Sequence, residues 1–205
     1  ERTSVMNFEN AIRGARNPMN SWERMDSFTD GDGNFVFGEN DLSLAVRLAK
    51  AGSDHRKFLR QIIVSVDITA PLYWWKEFDT YKVGTTANSC STMHKIHSKP
   101  FSREDFSCDR LTDEGLKMLD SIIDFLEEER RQFIADKDDR SHWHNMIQIL
   151  PSSYNQMRTV TLNYENLVNI YYARRTHKLA EWHTFCDWIM SLPFAKELIA
   201  VKDGE

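Results

Sequence analysis

A mixture of amphipathic helices and a few strands, the α+β class, is what the sequence predicts, on three observations. Apolar residues recur at helical period in several separate stretches, the longest spanning Leu116 to Ile134. Ile62, Val64, Val66 and Ile68 alternate with Ile63, Ser65, Asp67 and Thr69, and Met157 to Leu162 forms a second extended run. With 205 residues, 41% of them hydrophobic, the chain is long enough to bury one real core, so residues 1–205 read as a single domain.

The elements follow in order. Val5, Phe8, Ala11, Ile12 and Ala15 share one face of a helix that Asn17-Pro18 ends, with Arg13 and Arg16 on its wet side. Asp30, Asp32, Gly33, Phe35 and Glu39 then occupy positions three, five, six, eight and twelve of an EF-hand loop, but Phe28 stands at position one. An Asp-Gly turn between two short extended pieces is therefore expected instead of a calcium site. Asn40-Asp41 caps a helix from Leu42 to Ala51, which Gly52 terminates.

After the strand at Ile62, Ala70-Pro71 opens a further helix crowded with Tyr73, Trp74 and Trp75, a density that suits a core or a subunit interface. A polar loop comes next. Gly84, Thr85, Thr86, Asn88, Ser89, Ser91 and Thr92 offer hydroxyls, amides and backbone donors that suit a phosphate or polar ring, or a solvated turn. Cys90, His94, His97 and Cys108 match no zinc spacing, and no metal is expected.

Thr112-Asp113-Glu114 caps the long helix, whose run Glu127-Glu128-Glu129-Arg130-Arg131 reads as a solvated face with local ion pairs. Asp138 to Leu150 makes another helix, on which His142 and His144 point apart. Arg174, Arg175, His177 and Lys178 cluster at a helix end, where the helix dipole or a phosphate accounts for them. Leu179, Trp182, Phe185, Cys186 and Ile189 form the last helix, which stops at Pro193.

Charge excludes one class of partner. Lys and Arg total 26 against 31 Asp and Glu, a formal net of −5, so there is no basic footprint for duplex nucleic acid. No apolar run reaches the ~18 residues of a membrane helix, and no apolar signal core opens the sequence. Three cysteines, an odd number, fit a reducing compartment, so a cytoplasmic protein is expected.

The order of these elements resembles the flavin-dependent thymidylate synthase family. In that family a strand leads into Ala-Pro, then a helix bearing Gln-Trp-x-Arg-His-Arg, then a Gly-Ser-rich loop ending Ser-x-Arg-Tyr. Counting from Ala70-Pro71, Glu77 falls on the glutamine, Phe78 on the tryptophan, and Thr80-Tyr81-Lys82 on Arg-His-Arg. Gly84-Thr85 then falls on Gly-Ser and, after one inserted residue, Ser91 on the serine. Lys57 to Gln61 stands where the family has Ser-Pro-x-Glu-His, and Leu150-Pro151 opens a second block. There Asn163, Leu167, Arg174, Ala180 and Trp182 agree with the family, while Glu165 replaces an arginine that contacts the pyrimidine and Phe185 replaces a closing arginine.

The resemblance implies a mixed or antiparallel sheet packed with long helices, FAD as cofactor at a degraded motif, and a homotetramer in nucleotide biosynthesis. It implies that Lys82, Gly84, Thr85 and Asn163 contact the cofactor, and that Glu77, Ser91, Glu165 and Arg174 contact a pyrimidine nucleotide. Flavin stacking is a further role for Tyr73, Trp74 and Trp75, and no catalytic residue is singled out. Two outcomes stay open: an enzyme moving a one-carbon unit to the C5 position of the nucleotide, or a non-catalytic binding protein that has lost flavin.

Overall fold

The computed structural model describes residues 1–201. Helices dominate, with a four-stranded sheet of order β1 (Ser4–Met6), β4 (Ile63–Pro71), β6 (Asn155–Asn163), β5 (Thr86–Ser89) and a two-stranded hairpin, β2 (Phe28–Thr29) and β3 (Phe35–Val36). The α+β expectation holds. The chain divides into two compact units: residues 1–67, 81–87 and 160–201, and residues 68–80 and 88–159. Strands β4, β5 and β6 each run from one unit into the other.

In the first unit β1 pairs antiparallel with β4, placing Val5 opposite Val64. This corrects the expected helix from Val5: α1 spans Phe8–Arg16 and begins only after Asn7, whose φ of 77° breaks the path from strand to helix. Phe8, Ala11 and Ile12 are buried on α1, and so, against the expectation that it faces water, is Arg16, which pairs with a buried carboxylate while Arg13 stays exposed. The β2–β3 hairpin turns through Asp30, whose carboxylate accepts the backbone N–H groups of Asp32 and Asn34. That is the expected Asp-Gly turn, with the carboxylate spent on the backbone.

Helix α2 spans Glu39–Lys50, three residues earlier than expected, and Gly38 is its cap. Asp41 is therefore inside the helix, where it binds Arg16. The first unit ends in α6 (Tyr164–Arg174), α7 (Ala180–Met190) and α8 (Ala195–Leu198). Leu167, Ile170, Trp182 and Ile189 are buried on α6 and α7.

The second unit opens with α3 (Leu72–Phe78), a helix of seven residues. Trp74, Trp75 and Phe78 are each at most 2% exposed and stack on one another, with Trp75 Nε1 donating to the Gln156 carbonyl. The core reading of these rings is the right one, and it leaves Trp74 and Trp75 no face for an interface. Helix α4 (Asp113–Ala135) begins, as its sequence says, at Thr112, whose Oγ1 accepts from Gly115 N at 3.2 Å. It packs on α5 (Ser141–Ile149) through a core of Phe101, Phe106, Leu119, Ile123, Leu126 and Met146. Burying each such side chain contributes ~1.5–3 kcal/mol before entropy is counted.

Candidate functional site

Six of the eight residues expected at a site lie in the first unit: Asn163, Glu165 and Arg174 on α6 or its cap, and Lys82, Gly84 and Thr85 in the loop. Asn163 and Asn166 close a reciprocal cap at its start: Asn166 N donates to Asn163 Oδ1 at 3.0 Å, and Asn163 N to Asn166 Oδ1 at 3.2 Å. The spacing is that of a capping box, with asparagine in both places.

The same two side chains hold a loop. Asn166 Nδ2 donates to the Val83 carbonyl at 2.6 Å, and Gly84 at φ 73° comes so close that a Cβ there would sit 2.9 Å from Asn163 Nδ2. Only glycine suits both the backbone angle and the approach. At the other end of α6, Arg174 Nε donates to Tyr81 Oη at 2.9 Å, and its guanidinium lies 4.7 Å from the Trp182 ring centre. The segment from Tyr81 to Gly84 is thus tied to α6 at two points eight residues apart on the helix.

Between the ties Lys82 is exposed and makes no ion pair with a described residue. Val83 beside it is 89% exposed. Thr85 N donates to the Lys82 carbonyl, while Thr85 Oγ1 is buried and meets no described partner. A buried hydroxyl without a partner costs ~1–3 kcal/mol.

Glu165 lies inside the first turn of α6. Arg56 Nε donates to its Oε2 at 2.8 Å and Nη2 to its Oε1 at 3.1 Å, with both residues buried. Arg56 is absent from the sequence-based set, because 109 residues separate it from its partner and nothing local marks it. Asn166 was legible in principle, since an Asn-x-x-Asn pair heads α6.

Glu77 and Ser91 belong to the second unit. Glu77 is half-buried on the last turn of α3, and its carbonyl accepts from Thr80 Oγ1 at 2.7 Å. Ser91 Oγ accepts the N–H groups of Met93 and His94, which folds the chain into a local turn. The same unit holds a cation that the sequence reading passed over. Arg158 lies 4.2 Å over the Trp75 ring, donates to Gln156 Oε1 at 3.0 Å, and pairs with Asp79 at 2.8 Å. Among the described residues no cluster of three metal-binding side chains occurs.

No protein-family model matches the sequence, and no curated protein matches it. Solved structures do. The flavin-dependent thymidylate synthase ThyX from Helicobacter pylori, complexed with FAD and dUMP, superposes with a TM-score of 0.68 over 95% of each chain at 16% identity. This is the fold of the flavin-dependent thymidylate synthases. A second Helicobacter pylori ThyX structure with FAD and dUMP gives a TM-score of 0.67 over 96% of this chain and 93% of that one, again at 16% identity. A UMP/dUMP methylase, PolB from Streptomyces cacaoi bound with 5-Br dUMP, gives 0.65 over 97% and 93% at 12% identity. On the thymidylate synthase fold the chain thus keeps the path of the backbone while most side chains differ.

Proposed function

We propose that this chain binds a pyrimidine mononucleotide and, with FAD, transfers a one-carbon unit to C5 of the base. The observation that carries this reading is the fold shared over 95% of both chains with a structure holding FAD and dUMP. The pinned loop supports it. Lys82, Gly84, Thr85 and Asn163 would hold the cofactor: the buried, unpartnered Thr85 hydroxyl and the exposed Lys82 ammonium suit its polar and phosphate groups. When bound, flavin supplies the hydride.

Glu165 and Arg174 are the substrate candidates on α6, with Glu77 and Ser91 retained on the resemblance alone. Arg174 has its guanidinium fixed by Tyr81 and Trp182, so it enters any ligand contact pre-oriented. The same reading includes one homotetrameric, cytoplasmic domain. Met118 and Phe125, exposed at seven-residue spacing along α4, support a subunit contact, and three cysteines without a disulfide support a reducing compartment. Sedimentation tests the assembly.

The experiment for the function is a thermal-shift panel with FAD, dUMP and dCMP, read beside the absorbance spectrum of the purified protein. A ligand at a hundred times its Kd stabilises by about 2.7 kcal/mol, a rise of roughly 5–10 °C for a chain of this size. A yellow preparation stabilised by dUMP or dCMP is expected. One observation favours a second reading, a binding protein without catalysis: Glu165 and Arg174 are both engaged by this chain's own side chains. A colourless preparation that none of the three ligands stabilises would favour it.

A further inference from the structure

We infer that the buried Arg56–Glu165 pair is the base-reading edge of the nucleotide site, with Arg56 its specificity-determining residue; this rests on the nucleotide-binding reading above. The two-pronged contact uses two of the five guanidinium N–H groups and one lone pair on each carboxylate oxygen. Neither side chain makes a further hydrogen bond to a described residue, yet about a tenth of each stays accessible, 9% for Arg56 and 10% for Glu165.

A buried ion pair offsets its desolvation only when the remaining donors and lone pairs are also met. This one therefore keeps unspent donors beside unspent acceptors, with about a tenth of each side chain accessible. Because the pair is neutral as a whole, it exerts little pull on a phosphate dianion, a task better suited to exposed Lys82. It complements a neutral ring that shows an acceptor next to a donor. Uracil does so with N3–H beside its carbonyls, and cytosine with its exocyclic amine beside N3. Glu165 stands between Asn163 and Asn166 in the first turn of α6, so the base edge and the loop anchor are fixed on the same turn.

The test is calorimetric titration of the full chain with dUMP, dCMP and their N3-methyl derivatives. It compares the wild type with Arg56→Lys, which keeps the charge but loses the planar fork. The wild type is expected to bind dUMP or dCMP at least tenfold more tightly than its N3-methyl form. In Arg56→Lys that preference should shrink toward parity while the melting temperature stays within a few degrees. If Arg56→Lys does not fold, the paired variant R56M/E165L, which replaces the ion pair by apolar side chains of similar volume, carries the same expectation of lost preference. A folded variant that keeps the tenfold preference overturns the inference. So does a wild type that binds the nucleotides without discriminating the N3-methyl forms, and this result leaves the nucleotide-binding reading standing. A wild type that binds none of the four overturns both.

Discussion

Asp41 is wholly buried, and its carboxylate gathers the guanidinium of Arg16 with the backbone N–H groups of Asp26 and Ser27. Asp26 answers by accepting from Asn40 N and Asp41 N at the start of α2. Removing the Asp41 carboxylate leaves a buried guanidinium and two backbone donors unmet, so Asp41→Ala should cost ~3–5 kcal/mol in urea unfolding. A cost under about 1 kcal/mol would show the pair to be dispensable. Cysteine chemistry offers a second reading at this scale. Burial pushes the Cys186 thiol up to about 11, so at pH 8 it is almost entirely protonated, whereas Cys90 lies on the surface. A disulfide reagent applied to the native protein should label Cys90 quickly and reach Cys186 only on unfolding. Fast labelling of Cys186 in the folded protein would contradict its placement.

The element that matters most is the loop tied along α6. Gly84→Ala sets a Cβ against Asn163 at a φ of 73°, and a strain of ~1–3 kcal/mol is expected. Asn166→Ala removes both the cap partner and the bond to the Val83 carbonyl. It should cost ~0.5–2 kcal/mol and speed hydrogen exchange in the segment from Tyr81 to Thr85, while α4 exchanges as before. Unchanged exchange in that segment would mean the tie at Tyr81 suffices. Elements of this kind were legible where the signal was local. Thr112 before the long helix is a cap that the sequence displays, and it is used, whereas Asn163, expected as a cofactor contact, proves also to cap α6. Distant pairing was not legible. Val5 fits a helical stripe as well as a strand, and its pairing with Val64, together with the left-handed Asn7, decides the matter. Strand β5 is exposed at all four residues and reads as polar loop, because nothing in an exposed strand alternates. The sequence showed the loop but not the geometry that fixes it, since Tyr81 and Asn166 act through partners far along the chain.

At the scale of the whole chain, the sequence suggested one core, and the contacts resolve two units whose boundaries fall inside strands, where composition does not change. Charge acts on both units together. Asp26, Asp30, Glu127, Glu129 and Asp139 all have carboxyls held below their ordinary values. For Glu127 the main cause is the two-pronged bond from Arg130, which outweighs burial, with the Phe101 N–H adding to it. A carboxyl lowered in the folded state binds its proton more readily when unfolded. Its contribution is therefore complete above the ordinary value, 4.5 for a glutamate, and is lost as pH falls through the lower folded value. Stability should thus hold near neutral pH and decline between roughly pH 5 and pH 3. Glu127→Gln gives up ~1–3 kcal/mol near neutrality, and because it has one such proton fewer to take up, its decline in acid should be shallower than that of the wild type. Urea midpoints measured across that range decide the point: parallel declines for the two proteins would remove Glu127 from the acid response.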